Sequence, residues 1–281
     1  MSKTDLSLTR SGLGAVLEGA DANDAQTLGR AVMERGICLG RAVDLTADSF
    51  RNLVARLGNT VTYEDEASSV GYGYKDVLHL DGSSDGKIIS GRGSLPLHTD
   101  GLLVNRQVDL IIWYAVTAEH LGDDGATVIC DQIAAWREMP RELLEVIEAG
   151  SLEYLGVERG YFTNVPTTWF PIPTIRDFGR VRSLNISLPF EDGAPTSWQV
   201  RVPGKSESQS RAWFEALREH LTQERYIYTH RWQPGDLVIV DNQRTLHGRL
   251  PLREGARRVL MRGQVTLQGP MQRAEWASSD S

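Results

Sequence analysis

From Leu95 onward the chain is a series of short apolar runs separated by Gly, Pro, Asn and Asp, and this pattern limits the fold more than any other feature. Val108 to Val116, Ala126 to Cys130, Leu152 to Val157, Val181 to Ser187, Trp198 to Val202, Tyr226 to Trp232, Asp236 to Asp241 and Arg258 to Thr266 each read as a strand. Runs this short are too brief for long helices, and many in succession predict a sandwich or barrel. Two helical stretches interrupt them. One is Ile133 to Ala149, which Pro140 should break; the other is Glu207 to Thr222, with Trp213, Leu217 and Leu221 at helical spacing. The N-terminal part is different: a helix over Asp24 to Arg35 ending at Gly36, a short strand over Ile37 to Ala42, then a helix over Ala47 to Leu57 capped by Thr46. The expected fold class is mainly β with flanking helices (α+β), the helix-rich N-terminus packing outside the strands.

Composition excludes several alternatives. Hydrophobic residues make up 41% and charged residues 24%, ordinary for a globular protein and wrong for a collagen, coiled coil or disordered chain. The longest apolar run, Leu110 to Val116, is far short of the ~20 residues that span a bilayer. Cys38 and Cys130 are the only cysteines, which excludes a disulfide framework. Met-Ser-Lys-Thr-Asp at the start lacks the apolar core of a secretion signal, so a cytoplasmic location is expected. A net charge of -7 argues against nucleic acid or an anionic membrane as partner. No clear domain boundary is visible. A single domain over 1–281 is expected, with lid-like insertions near 65–93, 160–173 and 191–208, where Gly, Ser, Asp and Pro gather.

Chemistry concentrates at three places. In Pro96-Leu97-His98-Thr99-Asp100-Gly101, His98 and Asp100 are two apart, so on extended backbone they share a face. Alone the pair also fits a surface turn. Far downstream, His247 follows the apolar run Leu237 to Val240, where a turn at the end of a buried strand can present a ligand. Two histidines and one carboxylate with positions left open is the facial triad of non-heme Fe(II) oxygenases; a structural zinc site would want four protein ligands. The third place is Arg257-Arg258-Val259-Leu260-Met261-Arg262. Arg258 and Arg262 share one face of a strand, so either an anion pairs with them or they snorkel to water.

With these residues in place, the chain resembles the TauD/TfdA-type family of Fe(II)- and 2-oxoglutarate-dependent dioxygenases. That family's pattern is His-x-Asp, a distal His, and an Arg about ten residues on; here the last interval is 258 − 247 = 11. Trp232-Gln233-Pro234-Gly235-Asp236, Asp241-Asn242 and the Arg-Val-Leu-Met-Arg run also resemble taurine dioxygenase. The resemblance covers roughly Leu95 to Val265. It implies a double-stranded β-helix (jelly roll, cupin-like) core. It implies that His98, Asp100 and His247 are the iron ligands and catalytic centre, and that Arg258 and Thr127 hold the far carboxylate of 2-oxoglutarate. Fe(II), 2-oxoglutarate and O2 are the implied cofactor and cosubstrates. Hydroxylation is the default outcome, with desaturation or epoxidation as alternatives. Related halogenases lack the carboxylate ligand; Asp100 is present, which argues against halogenation.

The upstream stretch Ser90 to Ser94 does not reproduce the sulfonate-holding residues of taurine dioxygenase. Thr229 to Trp232 with Leu246 to Arg249 resembles the natural-product branch of the family, which includes dioxygenases of tyrosine-derived isonitriles. A small amino-acid-like or anionic metabolite of specialised metabolism is therefore the expected substrate, free or carrier-tethered. Alkylsulfonate (taurine) dioxygenation with sulfite release is the alternative. A catalytically dead binding module would be favoured by a missing ligand, and none is missing; a zinc hydrolase offers no reason for Arg258 with Thr127. Candidate substrate contacts are Arg262, Ser94, Tyr72, Tyr74, Trp169 and Phe170. His230 is expected to be a satisfied core histidine, His79, His120 and His220 to be ordinary surface or helix positions, and Cys130 and Trp213 to be core. Family members are often homo-oligomers, and this stays open here.

Overall fold

Local signals in the sequence set the helix ends. In a computed structural model describing residues 7–62, 74–82, 88–159, 162, 165–177 and 182–267, helix α1 (Ala25–Arg35) begins where the Asp24 side chain accepts from Thr27 N, and stops at Gly36. Helix α2 (Ala47–Leu57) is capped by Thr46 in the same way and buries Phe50, Leu53, Val54 and Leu57 along one stripe. Burying each of those side chains stabilises by about 1.5–3 kcal/mol. Around these helices lie strands β1 (Ala15–Leu17), β2 (Ile37–Gly40), β3 (Asn59–Thr60) and β4 (Leu78–Asp81).

The middle of the chain supplies β5 (Leu95–His98), β6 (Leu110–Glu119) and β7 (Thr127–Asp131), then helices α3 (Gln132–Arg137) and α4 (Arg141–Glu148). Pro140 separates these two helices, as expected, because its ring disfavours a helical residue before it. Next come β8 (Ser151–Gly156), β9 (Phe170–Pro173), β10 (Ile175–Asp177), β11 (Arg182–Leu184) and β12 (Trp198–Arg201). Helix α5 (Glu207–Leu221) opens on a reciprocal capping box between Ser206 and Gln209. The last strands are β13 (Ile227–His230), β14 (Leu237–Asp241), β15 (Thr245–Arg249) and β16 (Arg257–Thr266).

Two sheets carry the architecture. The larger runs β1-β2-β14-β6-β16-β3, with β4 also paired to β16; the smaller runs β13-β7-β15-β5. Apolar side chains of both, among them Ile111, Trp113, Val238, Leu260 and Ile129, meet in one cluster between the sheets. Helices α1 and α2 cover the outer face of the larger sheet through Leu28, Val32, Phe50 and Val54 against Leu110, Ile112 and Met261. Helices α3 to α5, with the three-stranded β12-β8-β9 sheet, cover the outer face of the smaller one, where Cys130 and Leu246 point. The molecule is thus mainly β with flanking helices. Among the described residues no helix is long and apolar enough to cross a membrane.

Two expectations need correction. His247 is not in a turn but in the middle of β15, because the chain reverses earlier, over Asn242 to Arg244, and then pairs between β5 and β7. The stretch 160–173 is not wholly a lid-like insertion, because Phe170–Pro173 pairs as an edge strand with β8 and Phe162 is buried. His220 is a helix position of α5, one of the two expected alternatives, and it is buried, with Nε2 2.7 Å from the Ala135 carbonyl oxygen. His230, Cys130 and Trp213 are buried, as expected.

Candidate active site

The strand pairing that closes the smaller sheet also builds the site. β5 and β15 run antiparallel with His98 directly opposite His247, and the two rings lie 4.2 Å apart. Asp100 follows β5 in a tight turn. Its backbone is clamped by the buried Asn242 side chain, which accepts from Asp100 N at 3.1 Å and donates to Asp100 O at 3.2 Å. Gly101 makes that turn with φ +83, and any Cβ there would run into the Arg106 carbonyl. Gly101→Ala should therefore destabilise the protein by about 2 kcal/mol, since it adds backbone strain and a clash at once. A lower urea midpoint with an unchanged m-value checks this, and an unchanged midpoint refutes it.

One ligand atom from each of His98, Asp100 and His247 lies within 4.8 Å of the others. His98 Nδ1 sits 2.9 Å from the Pro96 carbonyl, a position only a donor satisfies, so Nε2 keeps its lone pair. That Nε2 faces Asp100 Oδ1 at 3.3 Å, and His247 Nε2 faces the same oxygen at 3.6 Å. Burial drives the His247 imidazole down to about 3, with His98 adding to the effect and Asp100 opposing it, so the ring is neutral near pH 7. Burial opposes the Asp100 charge, yet Arg262, His247 and His98 outweigh it and hold the carboxyl far below the usual range. Three potential ligand atoms thus converge on one point, which suits a divalent cation. Two nitrogens, one oxygen and a face left open fit Fe(II).

These groups open into a cavity of about 320 Å³. Arg258 and Thr127 line the same cavity. Arg258 is buried; it donates through Nη1 to the Gly125 carbonyl, and burial lowers its guanidinium to about 10, so it is still charged at neutral pH. Trp232 donates its indole N–H to Thr127 Oγ1 at 3.0 Å. An indole can only donate, so the Thr127 hydroxyl hydrogen is free to be given elsewhere. Arg249, also buried, donates to the carbonyls of Ile88, Ile89 and Gly93 and fixes the segment that leads into β5.

Of the candidate substrate contacts, Arg262 lines the cavity and lies 3.6 Å from Asp100 Oδ2. None of the other described candidates lines the cavity. Tyr74 bonds Asp48 of α2 and carries Arg51 over its ring; Trp169 stacks under Arg201 of β12; Phe170 packs into the outer cluster; Ser94 is not among the lining residues. Tyr72 lies outside the described residues. The cavity wall is instead formed by Leu102, Leu103, Phe162 and Trp198, with Arg106 at its exposed side. Leu102 and Leu103 directly follow the turn that carries Asp100 and Gly101. Gln264 also lines the cavity, and could have been found by extending the two-residue period Arg258, Leu260, Arg262 by one step. Phe162 and Trp198 had no local signal.

The comparisons with known proteins agree with this geometry. The 3-((Z)-2-isocyanoethenyl)-1H-indole synthase of Fischerella ambigua is 22% identical over 62% of this chain and 63% of its own length. The alpha-ketoglutarate-dependent 2,4-dichlorophenoxyacetate dioxygenase of Cupriavidus pinatubonensis is 32% identical over 49% of each chain. The chain thus matches less than two thirds of either relative. The crystal structure of PvcB from Pseudomonas aeruginosa superposes with a TM-score of 0.67 at 23% identity, over 92% of this chain and 89% of that one, which shows a shared fold. The family model described as taurine catabolism dioxygenase TauD, TfdA family matches residues 7–264, and this chain belongs to that family.

Proposed function

We propose that this protein is an Fe(II)- and 2-oxoglutarate-dependent dioxygenase that oxidises a small anionic, amino-acid-like metabolite. The observation that carries the proposal is the convergence of His98, Asp100 and His247 at one end of a cavity that also holds Arg258 and Thr127. His98, Asp100 and His247 would hold Fe(II). Iron supplies the chemistry that couples O2 reduction and decarboxylation of 2-oxoglutarate, to succinate and CO2, with oxidation of the substrate.

The remaining roles belong to the chain. Arg258 gives 2-oxoglutarate a charge-assisted, two-pronged anchor for its far carboxylate. Thr127, its oxygen already occupied by the Trp232 N–H, donates its own hydrogen to the same carboxylate. Anchoring that end would orient the keto-acid end toward the side of the cavity where His98, Asp100 and His247 lie. Apolar Leu102, Leu103, Phe162 and Trp198 exclude water and suit an apolar or aromatic substrate body, while Arg106 at the rim suits an acidic group. The two-sheet arrangement is read as the double-stranded β-helix of this family. The indole isonitrile synthase among the relatives favours specialised metabolism; hydroxylation is the default outcome, with desaturation, as in the related tyrosine isonitrile desaturase, or epoxidation as alternatives.

Succinate released from 2-oxoglutarate under air tests the proposal. The expected result is succinate that requires Fe(II) and rises with an aromatic amino-acid-like carboxylate. The absence of iron-dependent succinate with every carboxylate tried would overturn it. Sulfite release from taurine would replace the substrate class with an alkylsulfonate.

A further inference from the structure

We propose that Gln264 is a positioning residue that makes Asp100 bind metal through a single oxygen. The inference rests on the reading of His98, Asp100 and His247 as a metal site and adds a role for a residue outside it. Asp100 has two oxygens in unlike surroundings. Oδ1 faces the Nε2 atoms of His98 and His247 at 3.3 and 3.6 Å. Oδ2 is turned away, and Gln264 Nε2 donates to it at 2.5 Å while Arg262 Nη1 lies 3.6 Å from it. The amide must present its nitrogen here, because its oxygen would repel the carboxylate.

The backbone holds Gln264 in this place from both sides. It pairs with Ile111 of β6, and its carbonyl accepts from Val61 N at 2.9 Å. It is buried, on the same face of β16 as Arg258 and Arg262. A carboxylate left to itself can bind a cation through one oxygen or two. With two, the protein would fill four of six positions. With Oδ2 committed to Gln264, it fills three, and three are left for groups from outside the chain. Gln264 thus governs how many positions the centre offers. Groups that orient a metal ligand typically cost 10–100-fold in metal affinity when removed.

Cobalt(II) tests this without turnover, because its visible d–d bands report coordination number. Wild-type protein and Gln264→Met, equal in length but unable to donate, are titrated with Co(II) and then with 2-oxoglutarate, alongside thermal melting of the metal-free forms. The expected result is Co(II) affinity about 10–100-fold weaker in Gln264→Met, an altered d–d spectrum, and a smaller response to 2-oxoglutarate, with melting retained. Wild-type affinity and spectrum in the variant overturn the role of Gln264 but leave the metal site standing. No Co(II) bands in the wild type overturn the metal-site reading itself, and the inference with it. Should the variant not fold, a crystal structure of Co(II)-loaded wild type decides. One Asp100 oxygen on cobalt and the other on Gln264 supports the inference; both oxygens on cobalt refute it.

Discussion

Asp100→Ala should lower iron-dependent succinate formation by roughly 10³-fold or more. Metal-ion catalysis contributes several kcal/mol, and each 1.36 kcal/mol is a factor of ten. The substitution removes the one anionic donor of the triad and leaves the Arg262 guanidinium facing two imidazoles across the gap, where a cation is no longer welcome. The turn itself should survive, because Asn242 grips the Asp100 backbone rather than its side chain. Thermal melting of the metal-free variant therefore separates loss of the site from loss of the fold. Retained iron affinity with full turnover would sink the assignment of Asp100.

The second large effect is expected at Arg258. Truncating one partner of a buried, hydrogen-bonded charge pair typically costs 2–5 kcal/mol. Arg258→Met should accordingly raise the KM for 2-oxoglutarate by roughly 10²-fold or more. Arg258→Lys keeps the charge but loses the planar fork, and should fall between the two. Stability should move the other way. Burial lowers the Arg258 guanidinium to about 10, so its charge is a cost to the protein without ligand. Arg258→Met should thus melt no earlier than wild type while binding cosubstrate far more weakly. An unchanged KM, or a matched loss of stability and affinity, would show that Arg258 is structural. A trade of stability for an anion site is what a ligand-binding arginine predicts.

Much of this site was legible in the sequence. The period-two spacing of Arg258 with Arg262 survives directly in the structure, because strands put alternate residues on one face; His98 and Asp100 also come together, but through the turn that follows β5 and the Asn242 clamp rather than along a strand. The cap residues Asp24, Thr46 and Ser206 mark helix starts because their side chains satisfy backbone N–H groups that a helix leaves open. Trp169 and Phe170 were attractive as lid residues from composition alone. Trp169, just before β9, stacks on Arg201, and Phe170, the first residue of β9, packs against the outer cluster where β9 pairs with β8. Tyr74 fails for a similar reason: it lies on the α2 side of the larger sheet.

The sequence by itself determined the strand-rich class, the helix boundaries and which three residues to propose as metal donors, since each depends on local spacing or side-chain chemistry. Only the tertiary structure decided that His98 and His247, 247 − 98 = 149 positions apart, face each other across two paired strands. It also decided that Phe162 and Trp198 wall the cavity and that Gln264 holds the outer oxygen of Asp100. The physical reason is that hydrogen-bond register between strands is a long-range property. It is set by the whole buried face of each sheet, and no local window of residues contains it.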